Sequence, residues 1–326
     1  MSRATGEVRL EHGDGIDALD RIEVRGIRAW GRHGVLPQEK DLGQQFVVDI
    51  VLHLSTAPAG RTDALSRTVN YAEVAAAVQE EILGGPHDLV ETLAEHIAAR
   101  ILTDTGHPLV RRVEVTVHKP AAPVGLPVAD VAVHIRRDAA PVDAVLALGT
   151  NLGDREAHLR RALEILAETP GLAIDWTSPV LETAPVGGPD GQGAFLNAVI
   201  GVRTVLGPYA LLEAAHRAER DARRERLVRW GPRTLDVDVI TYGDWTSDDE
   251  ELTVPHPRAH ERAFVLAPWR AARPDAELPG HGPIADLLEV AADREGLHEG
   301  PAVEGFGRSA AQGVDESTNL GGAGRP

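Results

Sequence analysis

The sequence predicts two α+β domains, and three observations lead to this prediction. The chain has 326 residues, which is enough for two domains of roughly 150 residues each. Its hydrophobic content of 43% is ordinary for a globular protein. Short stretches with strand-like alternation are mixed with longer helical stretches, which indicates a layered α+β sandwich with a mostly antiparallel sheet.

Polar and glycine-rich stretches mark the predicted domain limits. The acidic start of the chain is expected to be a flexible tail, and its end, rich in Gly, Ser and Ala, a disordered one. A short polar segment that reaches Pro141 is the best linker between the halves. The predicted organisation is a tail over 1–20, a domain over 21–137, a linker over 138–142, a domain over 143–296 and a tail over 297–326.

The first half is expected to follow the order β-β-α-α-β-β. Alternation of apolar and polar residues predicts strands over residues 22–27, 46–54, 110–118 and 128–135. Helical patterns lie between the second and third strands, near residues 71–83 and 89–102.

The second half is expected to mix strands and helices. Apolar runs predict strands over residues 144–148, 172–179, 195–205 and 234–242. Helices are predicted after Asp154, over residues 208–222 and around Phe264.

The composition limits the classes of function. The chain contains no cysteine, which excludes disulfide scaffolds, thiolate metal sites and cysteine nucleophiles. Its formal net charge of -17 argues against a nucleic-acid partner. Neither a secretory signal nor an apolar run of about 20 residues is visible, so we expect a cytoplasmic protein without a membrane partner.

Four residues of the first half have side chains suited to acid–base chemistry: Glu39, Tyr71, Glu91 and Lys119. Glu39 lies in a loop, Tyr71 and Glu91 stand near helix starts, and Lys119 ends a strand. Lys119 is one of only two lysines in a chain rich in arginine, and an amine can be tuned to lose its proton near neutral pH. Taken singly, each residue is more typical of a solvated surface charge.

Taken together, these positions resemble the bacterial dihydroneopterin aldolase family over about residues 20–137. The matching motifs are His33-Gly34 with Glu39, the turn Gly60-Arg61-Thr62-Asp63, Asn70-Tyr71, the helix start at Glu91 and Lys119-Pro120. The resemblance implies the tunnelling fold (T-fold). It also implies a homo-oligomer formed through this domain, a tetramer or octamer, with active sites between subunits.

The resemblance further implies retro-aldol cleavage of 7,8-dihydroneopterin, with Lys119, Tyr71 and Glu39 as the catalytic residues. Lys119 and Tyr71 would transfer protons, and Glu39 would hold the substrate. Glu91, with Val90 and Tyr71, would bind the pterin, because a carboxylate accepts two parallel hydrogen bonds from its amino-pyrimidinone edge. The dihydropterin ring can hold the developing negative charge, so this domain is expected to need no cofactor.

In the second half, Asp236 and Asp238 stand two residues apart on a predicted strand, which turns both carboxylates to one side. Magnesium prefers such carboxylates together with phosphate oxygens. The arginines concentrated in residues 217–233 suit phosphate binding. A half-exposed strand beside a charged helix face would explain both features equally well. Neither lysine lies in a Walker A context, which excludes an ordinary P-loop enzyme.

Five motifs of this half together closely resemble 6-hydroxymethyl-7,8-dihydropterin pyrophosphokinase over about residues 143–290. These motifs are Gly149-Thr150-Asn151-Leu152-Gly153, Glu182-Thr183-Ala184-Pro185-Val186-Gly187, Phe195-Leu196-Asn197-Ala198, the stretch from Trp230 to Asp238, and Val254-Pro255-His256-Pro257. The resemblance implies a ferredoxin-like α+β sandwich and diphosphate transfer from ATP, with AMP as the second product.

The same resemblance implies the ligands of this half. Two Mg²⁺ ions, bound by Asp236 and Asp238, would bridge ATP. The pterin would be bound by Phe195, Asn197, Phe264, Thr183 and Val186. ATP would be bound by Glu219, Arg224, Arg226, Trp230, Arg233, His256 and Arg262.

Two alternatives stay open for the first domain. It could be an epimerase of related dihydropterins, because the same base could reprotonate a neighbouring carbon. It could also be a pterin-binding scaffold without turnover. Release of glycolaldehyde distinguishes cleavage from both.

Overall fold

The computed structural model describes residues 16, 19–184, 192–222 and 234–307 of the chain. Contacts divide the chain into two compact units. Of the described residues, the N-terminal unit holds those up to 142 together with 205–213, and the C-terminal unit holds 143–204 and 214–307. The inclusion of residues 205–213 in the N-terminal unit is a feature that the sequence pattern did not indicate.

The N-terminal unit is one antiparallel sheet with two longer helices packed against it. Its strands, paired in chain order, are β1 (Asp20–Gly31), β2 (Gln44–Leu54), β3 (Arg112–His118) and β4 (Ala132–Asp138). Its helices are α1 (Pro37–Leu42), α2 (Ala57–Thr62), α3 (Tyr71–Leu83) and α4 (Val90–Arg100). α3 packs on β1 and α4 on β3 and β4. The predicted order β-β-α-α-β-β is therefore present, with α1 and α2 as short additions.

The core of this unit follows from two periodicities. Alternate residues of β2 and β3 are buried, and the helices contribute residues spaced by four, such as Val74, Val78 and Ile82 of α3. α3 begins where the Asn70 side chain accepts a hydrogen bond from the Ala72 N–H at 3.1 Å. α4 continues into a π-helical turn at Ile101–Thr105.

The C-terminal unit is built on a six-stranded sheet. Its strands are β5 (Val142–Thr150), β6 (Leu172–Thr177), β7 (Leu181–Thr183), β8 (Phe195–Thr204), β9 (Asp236–Tyr242) and β14 (Leu297–Glu299). The order across the sheet is β14-β7-β8-β5-β9, and β6 also pairs with β8. Two small hairpins are β10 (Ser247–Asp248) with β11 (Thr253–Val254) and β12 (Glu277–Leu278) with β13 (Gly282–Pro283).

Four helices accompany these strands along the chain. They are α5 (Arg155–Ala167), α6 (Pro208–Asp221), α7 (Ala263–Ala272) and α8 (Ile284–Val290). The Asp154 side chain caps α5 by accepting the Ala157 N–H at 3.0 Å. Across the described residues, every helix is too short or too polar to span a bilayer.

The structure differs from the predicted tails at their inner ends. Residues 297–299, placed in the disordered tail by composition, pair with β7 as strand β14. The free edge of β7 offers backbone N–H and C=O groups that such a strand satisfies. At the other end, Ile16 is buried and Asp20 already begins β1.

Candidate active sites

A buried ion pair marks the candidate site of the N-terminal unit. Lys119 follows β3, and its Nζ lies 2.5 Å from Glu39 Oε1 in the α1 turn. The two side chains are only 9% and 8% exposed. Burial raises the pKa of Glu39, but hydrogen bonds from Lys119 and from the Leu36 N–H outweigh it and hold that pKa below its ordinary value. The carboxylate therefore stays ionised and fixes the position of the ammonium group.

The backbone around Glu39 is shaped to hold its carboxylate. Gly34 has a φ of +149°, and a Cβ built on it would lie 2.3 Å from the Glu39 carboxyl carbon. Only glycine leaves this space. Gln44, at the start of β2, places its Nε2 at 3.4 Å from Glu39 Oε1. Its own Oε1 is buried and has no hydrogen-bond partner among the described residues.

His33 ties this loop to the segment between α3 and α4. Its ring is fully buried, and its Nδ1 accepts the His87 N–H at 3.1 Å. Nε2 must then carry the proton that is donated to the Ile82 carbonyl at 2.9 Å. The Gly34 N–H returns a bond to the His87 carbonyl at 2.9 Å. Burial lowers the pKa of His33, in agreement with a neutral ring that uses one nitrogen as an acceptor.

The other predicted residues of this unit lie at helix starts. Tyr71 is the first residue of α3 and is 62% exposed, and Glu91 is an exposed residue in the first turn of α4. Val90, just before Glu91, is buried in the core. Within the described part of this single chain, neither Tyr71 nor Glu91 bonds to Glu39 or Lys119. One chain thus brings together two of the four predicted residues.

Strand β9 carries the candidate site of the C-terminal unit. Asp236 and Asp238 are half-buried and line a cavity of about 550 Å³. Across the sheet they face Gly149 and Ala147 of β5, which line the same cavity. Because these partners are small, the carboxylates have space beside them for a ligand. The intervening Val237 is buried in the core, as the alternation predicts.

The side chains of Arg262 and His256 lie near Asp238. Arg262 Nη1 lies 3.9 Å and His256 Nε2 4.0 Å from Asp238 Oδ2. His256 Nδ1 accepts the Arg258 N–H at 3.2 Å, so Nε2 carries the proton in the neutral ring. Burial lowers the pKa of His256, and Asp238 opposes this shift only in part. Asp238 therefore lies within 4.0 Å of two basic side chains.

The described residues that were predicted to bind the pterin line the same cavity. Phe195, Asn197 and Phe264 do so together with Thr183. Asn197 Nδ2 donates to Thr183 Oγ1 at 2.8 Å, which orients the amide in a nearly buried position. A Cβ on Gly149 would lie 3.1 Å from Asn197 Oδ1, so a larger residue at this position would crowd the side-chain amide. Arg262 lies over Phe264, with its guanidinium carbon 5.4 Å from the ring centroid.

Glu219 contacts the backbone of β9 between the two aspartates. It is not among the cavity-lining residues; its Oε1 accepts the Val237 N–H at 3.0 Å, and the residue is 5% exposed. The carboxylate holds the strand between the two aspartates. Val186, Arg224, Arg226, Trp230 and Arg233 lie outside the described residues.

Sequence reasoning missed several residues of the two sites. One of them is Gln44, which contacts Glu39. The only signal in the sequence for a role of Gln44 is its position at the start of a strand. Asp293 lines the cavity and caps α7 by accepting the Ala263 N–H at 2.8 Å, and His260 lines it as well. No motif points to them, because the chain fold alone brings them to the cavity.

Comparisons with known proteins agree with both resemblances. The family described as "Dihydroneopterin aldolase" matches residues 22–136, and the family described as "7,8-dihydro-6-hydroxymethylpterin-pyrophosphokinase (HPPK)" matches residues 145–274. A dihydroneopterin aldolase of Streptomyces coelicolor is 50% identical over 119 residues, which is 36% of this chain and 98% of that protein. A 2-amino-4-hydroxy-6-hydroxymethyldihydropteridine pyrophosphokinase of Bacillus subtilis is 45% identical over 125 residues, 38% of this chain and 74% of that protein.

The chain belongs to both families. It is a bifunctional enzyme of folate biosynthesis, with an aldolase domain followed by a pyrophosphokinase domain. The predicted fold class and the two predicted activities are thereby confirmed. A relative described as "Bifunctional protein FolKE" is found in Lactococcus lactis. That protein is 42% identical over 123 residues, which cover 38% of this chain and only 35% of the relative.

Proposed function

We propose that Lys119 and Tyr71 carry out proton transfer in the aldolase domain and that Glu39 holds the substrate. The buried ion pair between Glu39 and Lys119 supports this assignment more than any other observation. Removal of both charges from water is costly, and such pairs are often found at functional sites with tuned acids and bases.

The reaction needs one proton taken and one returned. A base removes the proton from the hydroxyl on the second side-chain carbon of 7,8-dihydroneopterin. The bond between the first and second side-chain carbons then breaks, and glycolaldehyde leaves. The electron pair passes into the C=N system of the ring until the first side-chain carbon is protonated, which gives 6-hydroxymethyl-7,8-dihydropterin. Lys119 and Tyr71 supply this acid–base chemistry, and no cofactor takes part.

The exposed positions of Tyr71 and Glu91 support an oligomeric aldolase site. We propose that a second copy of the chain provides Tyr71 to the pocket that holds Lys119, while Val90 and Glu91 bind the pterin edge. The domain would then assemble as a tetramer or octamer.

We further propose that the C-terminal cavity binds the product of the first reaction beside ATP. The meeting of two aromatic rings, Asn197 and two aspartates in one cavity supports this assignment. Phe195 and Phe264 would stack on the pterin, and Asn197 with Thr183 would read its edge. The hydroxymethyl oxygen attacks the β-phosphorus of ATP and gives up its proton to the solvent. The bond between this phosphorus and the oxygen that bridges to the α-phosphate breaks, and AMP leaves with that oxygen.

The donor set of β9 fits divalent magnesium. Asp236 and Asp238 offer hard carboxylate oxygens, with Gly149 and Ala147 leaving space beside them. When bound, two Mg²⁺ ions would neutralise the charge of the triphosphate. His256 and Arg262 would hold phosphate oxygens, and Glu219 would keep β9 straight between the aspartates. Val186, Arg224, Arg226, Trp230 and Arg233 stay predictions for the parts of the site outside the described residues.

One assay tests both halves. The full chain is incubated with 7,8-dihydroneopterin, with and without ATP and MgCl₂, and the products are followed by mass spectrometry. Without ATP we expect 6-hydroxymethyl-7,8-dihydropterin and an equal amount of glycolaldehyde; with ATP, the diphosphate ester and AMP. An epimer without glycolaldehyde would make the first domain an epimerase, and no turnover would make it a scaffold. The cytoplasmic location and the domain limits 21–137 and 143–296 stay proposals.

A further inference from the structure

A cluster of two histidines and a glutamate lies where α3 and α4 pack together. Glu81 is in the last turn of α3, His87 is in the connecting segment, and His96 is in α4. One ligand atom from each can be chosen so that all three lie within 4.8 Å of one another. None of these residues belongs to either proposed active site.

The spacing of these atoms is close to that of a metal site. His96 Nδ1 lies 4.0 Å from Glu81 Oε2, and the rings of His87 and His96 meet edge to face at 4.6 Å between centroids. Ligands bonded at about 2.0–2.1 Å to a tetrahedral ion stand roughly 3.3 Å apart. All three side chains are partly exposed, so rotation about their χ angles can bring the ligand atoms closer together.

Neighbouring side chains already orient the potential ligands. Arg100 Nη1 binds Glu81 Oε1 at 3.1 Å, which leaves Oε2 facing His96. The His87 ring stacks on buried His33 at 5.3 Å, nearly parallel, and neither of its ring nitrogens makes a hydrogen bond in the described part of the chain. Partners that orient a ligand in this way contribute strongly to metal affinity.

We propose that Glu81, His87 and His96 form a binding site for a divalent transition-metal ion such as Zn²⁺. Two imidazoles and one carboxylate suit Zn²⁺, Co²⁺ or Ni²⁺, whereas Mg²⁺ prefers oxygen ligands alone. Three protein ligands leave room for water on the ion.

The position of the site suggests what the ion does. His87, in the segment between α3 and α4, makes two hydrogen bonds with the His33-Gly34 turn. Its N–H donates to His33 Nδ1, and its carbonyl accepts the Gly34 N–H. The segment also leads directly into the first turn of α4, which carries Glu91. An ion on Glu81, His87 and His96 would clamp this segment and so restrain the aldolase site, without a part in the chemistry.

Zinc titration of the full chain tests the proposal. We expect calorimetry with ZnCl₂, in the presence of excess MgCl₂, to show one site per chain, and metal analysis after gel filtration to recover one zinc. His96→Gln and His87→Ala should each weaken binding at least about 100-fold. His134→Gln is the matched control, since it removes another half-exposed histidine of the same unit that lies 4.0 Å from a glutamate.

Hydrogen exchange gives a second readout that does not depend on activity. Zinc should slow exchange of the amides in residues 84–91 of the wild-type chain and of His134→Gln, but not of His96→Gln. Binding should weaken in acid, because protons compete with the ion for its ligands. Unchanged zinc affinity in His96→Gln, or the absence of stoichiometric binding to the wild-type chain, would overturn the proposal.

Discussion

In the C-terminal unit, most of the predicted residues that the structure describes surround one cavity: Asp236, Asp238, Phe195, Phe264 and Asn197. In the N-terminal unit, only Glu39 and Lys119 are in contact, and Tyr71 and Glu91 lie at exposed helix starts. The difference follows from architecture. A strand of the six-stranded sheet presents its residues to a pocket formed within its own unit. The four-stranded sheet of the N-terminal unit offers less enclosure, which is why we propose that a neighbouring copy completes its site. Four predictions test this contrast, from the largest expected effect to the smallest.

Substitution of the two aspartates proposed to bind Mg²⁺ should separate the two activities. Asp238→Ala is expected to reduce diphosphate transfer about 1,000-fold, because the Mg²⁺ ions proposed to neutralise the triphosphate would lose a ligand. Asp236→Ala should behave in the same way. Aldol cleavage should stay at the wild-type rate, measured as glycolaldehyde release.

The control for these variants is Asp248→Ala, which removes an exposed aspartate of β10. It should leave both rates unchanged. If Asp238→Ala remained folded and lost both activities, the two units would not be chemically separable.

Lys119→Arg tests the buried pair of the N-terminal unit. The variant keeps the positive charge but removes a group that can give up a proton, so we expect aldol cleavage to fall about 100-fold or more. Diphosphate transfer to added 6-hydroxymethyl-7,8-dihydropterin should be unaffected. Lys40→Arg, at the only other lysine, changes an exposed ion pair with Asp88 and should retain full activity. Wild-type cleavage by Lys119→Arg would remove Lys119 from the mechanism.

Gly34→Ala tests how the Glu39 carboxylate is held. A Cβ at Gly34 would lie 2.3–2.5 Å from the carboxyl atoms, and its φ of +149° strains any other residue. We expect the N-terminal unit to lose about 1–3 kcal/mol of stability and cleavage to fall with it. Urea unfolding and initial rates measure the two effects. Gly60→Ala, which has an ordinary φ and no atom within 4 Å of the added Cβ, should change neither.

The smallest effect concerns the pH dependence of the His33 contact. Burial lowers the pKa of His33 below its ordinary value of 6.5. The unfolded chain therefore binds more protons than the folded one once the pH falls below about 6.5, and stability is lost from there down to the lowered folded pKa. The loss is at most about 1.4 kcal/mol per pH unit.

Hydrogen exchange of the His87 amide, corrected for intrinsic rates, measures this loss between pH 7.5 and 5.5. His33→Gln cannot be protonated and should show a flatter pH dependence than the wild-type chain. The same slope in both proteins would mean that His33 does not titrate in this range.

Much of the fold could be predicted from local patterns. The strict alternation in β2 and the four-residue spacing in α3 give their positions to within a few residues, because each element buries one face. The short edge strand β14 could not, since its three residues are ordered only by pairing with β7. Composition alone placed them in a tail.

The sites show the same division. The positions of Asp236 and Asp238 could be predicted, because two-residue spacing on a strand fixes a common face. The contact between Glu39 and Lys119 could not be predicted. The two residues are 80 positions apart in the sequence, and only the fold brings Lys119 Nζ to 2.5 Å from Glu39 Oε1. The same holds for Glu219, whose bond to the Val237 N–H is a long-range contact between α6 and β9.

The sequence by itself determined the two families, the order of the main elements and the residue types available for acid–base and phosphate chemistry, because motifs and periodicity are local properties of the chain. Only the tertiary structure decided which of these residues meet. It buried the Glu39–Lys119 pair, placed Phe195, Phe264, Asn197 and the two aspartates around one cavity, and brought Glu81, His87 and His96 together. Contacts between such distant segments depend on how the helices and strands pack.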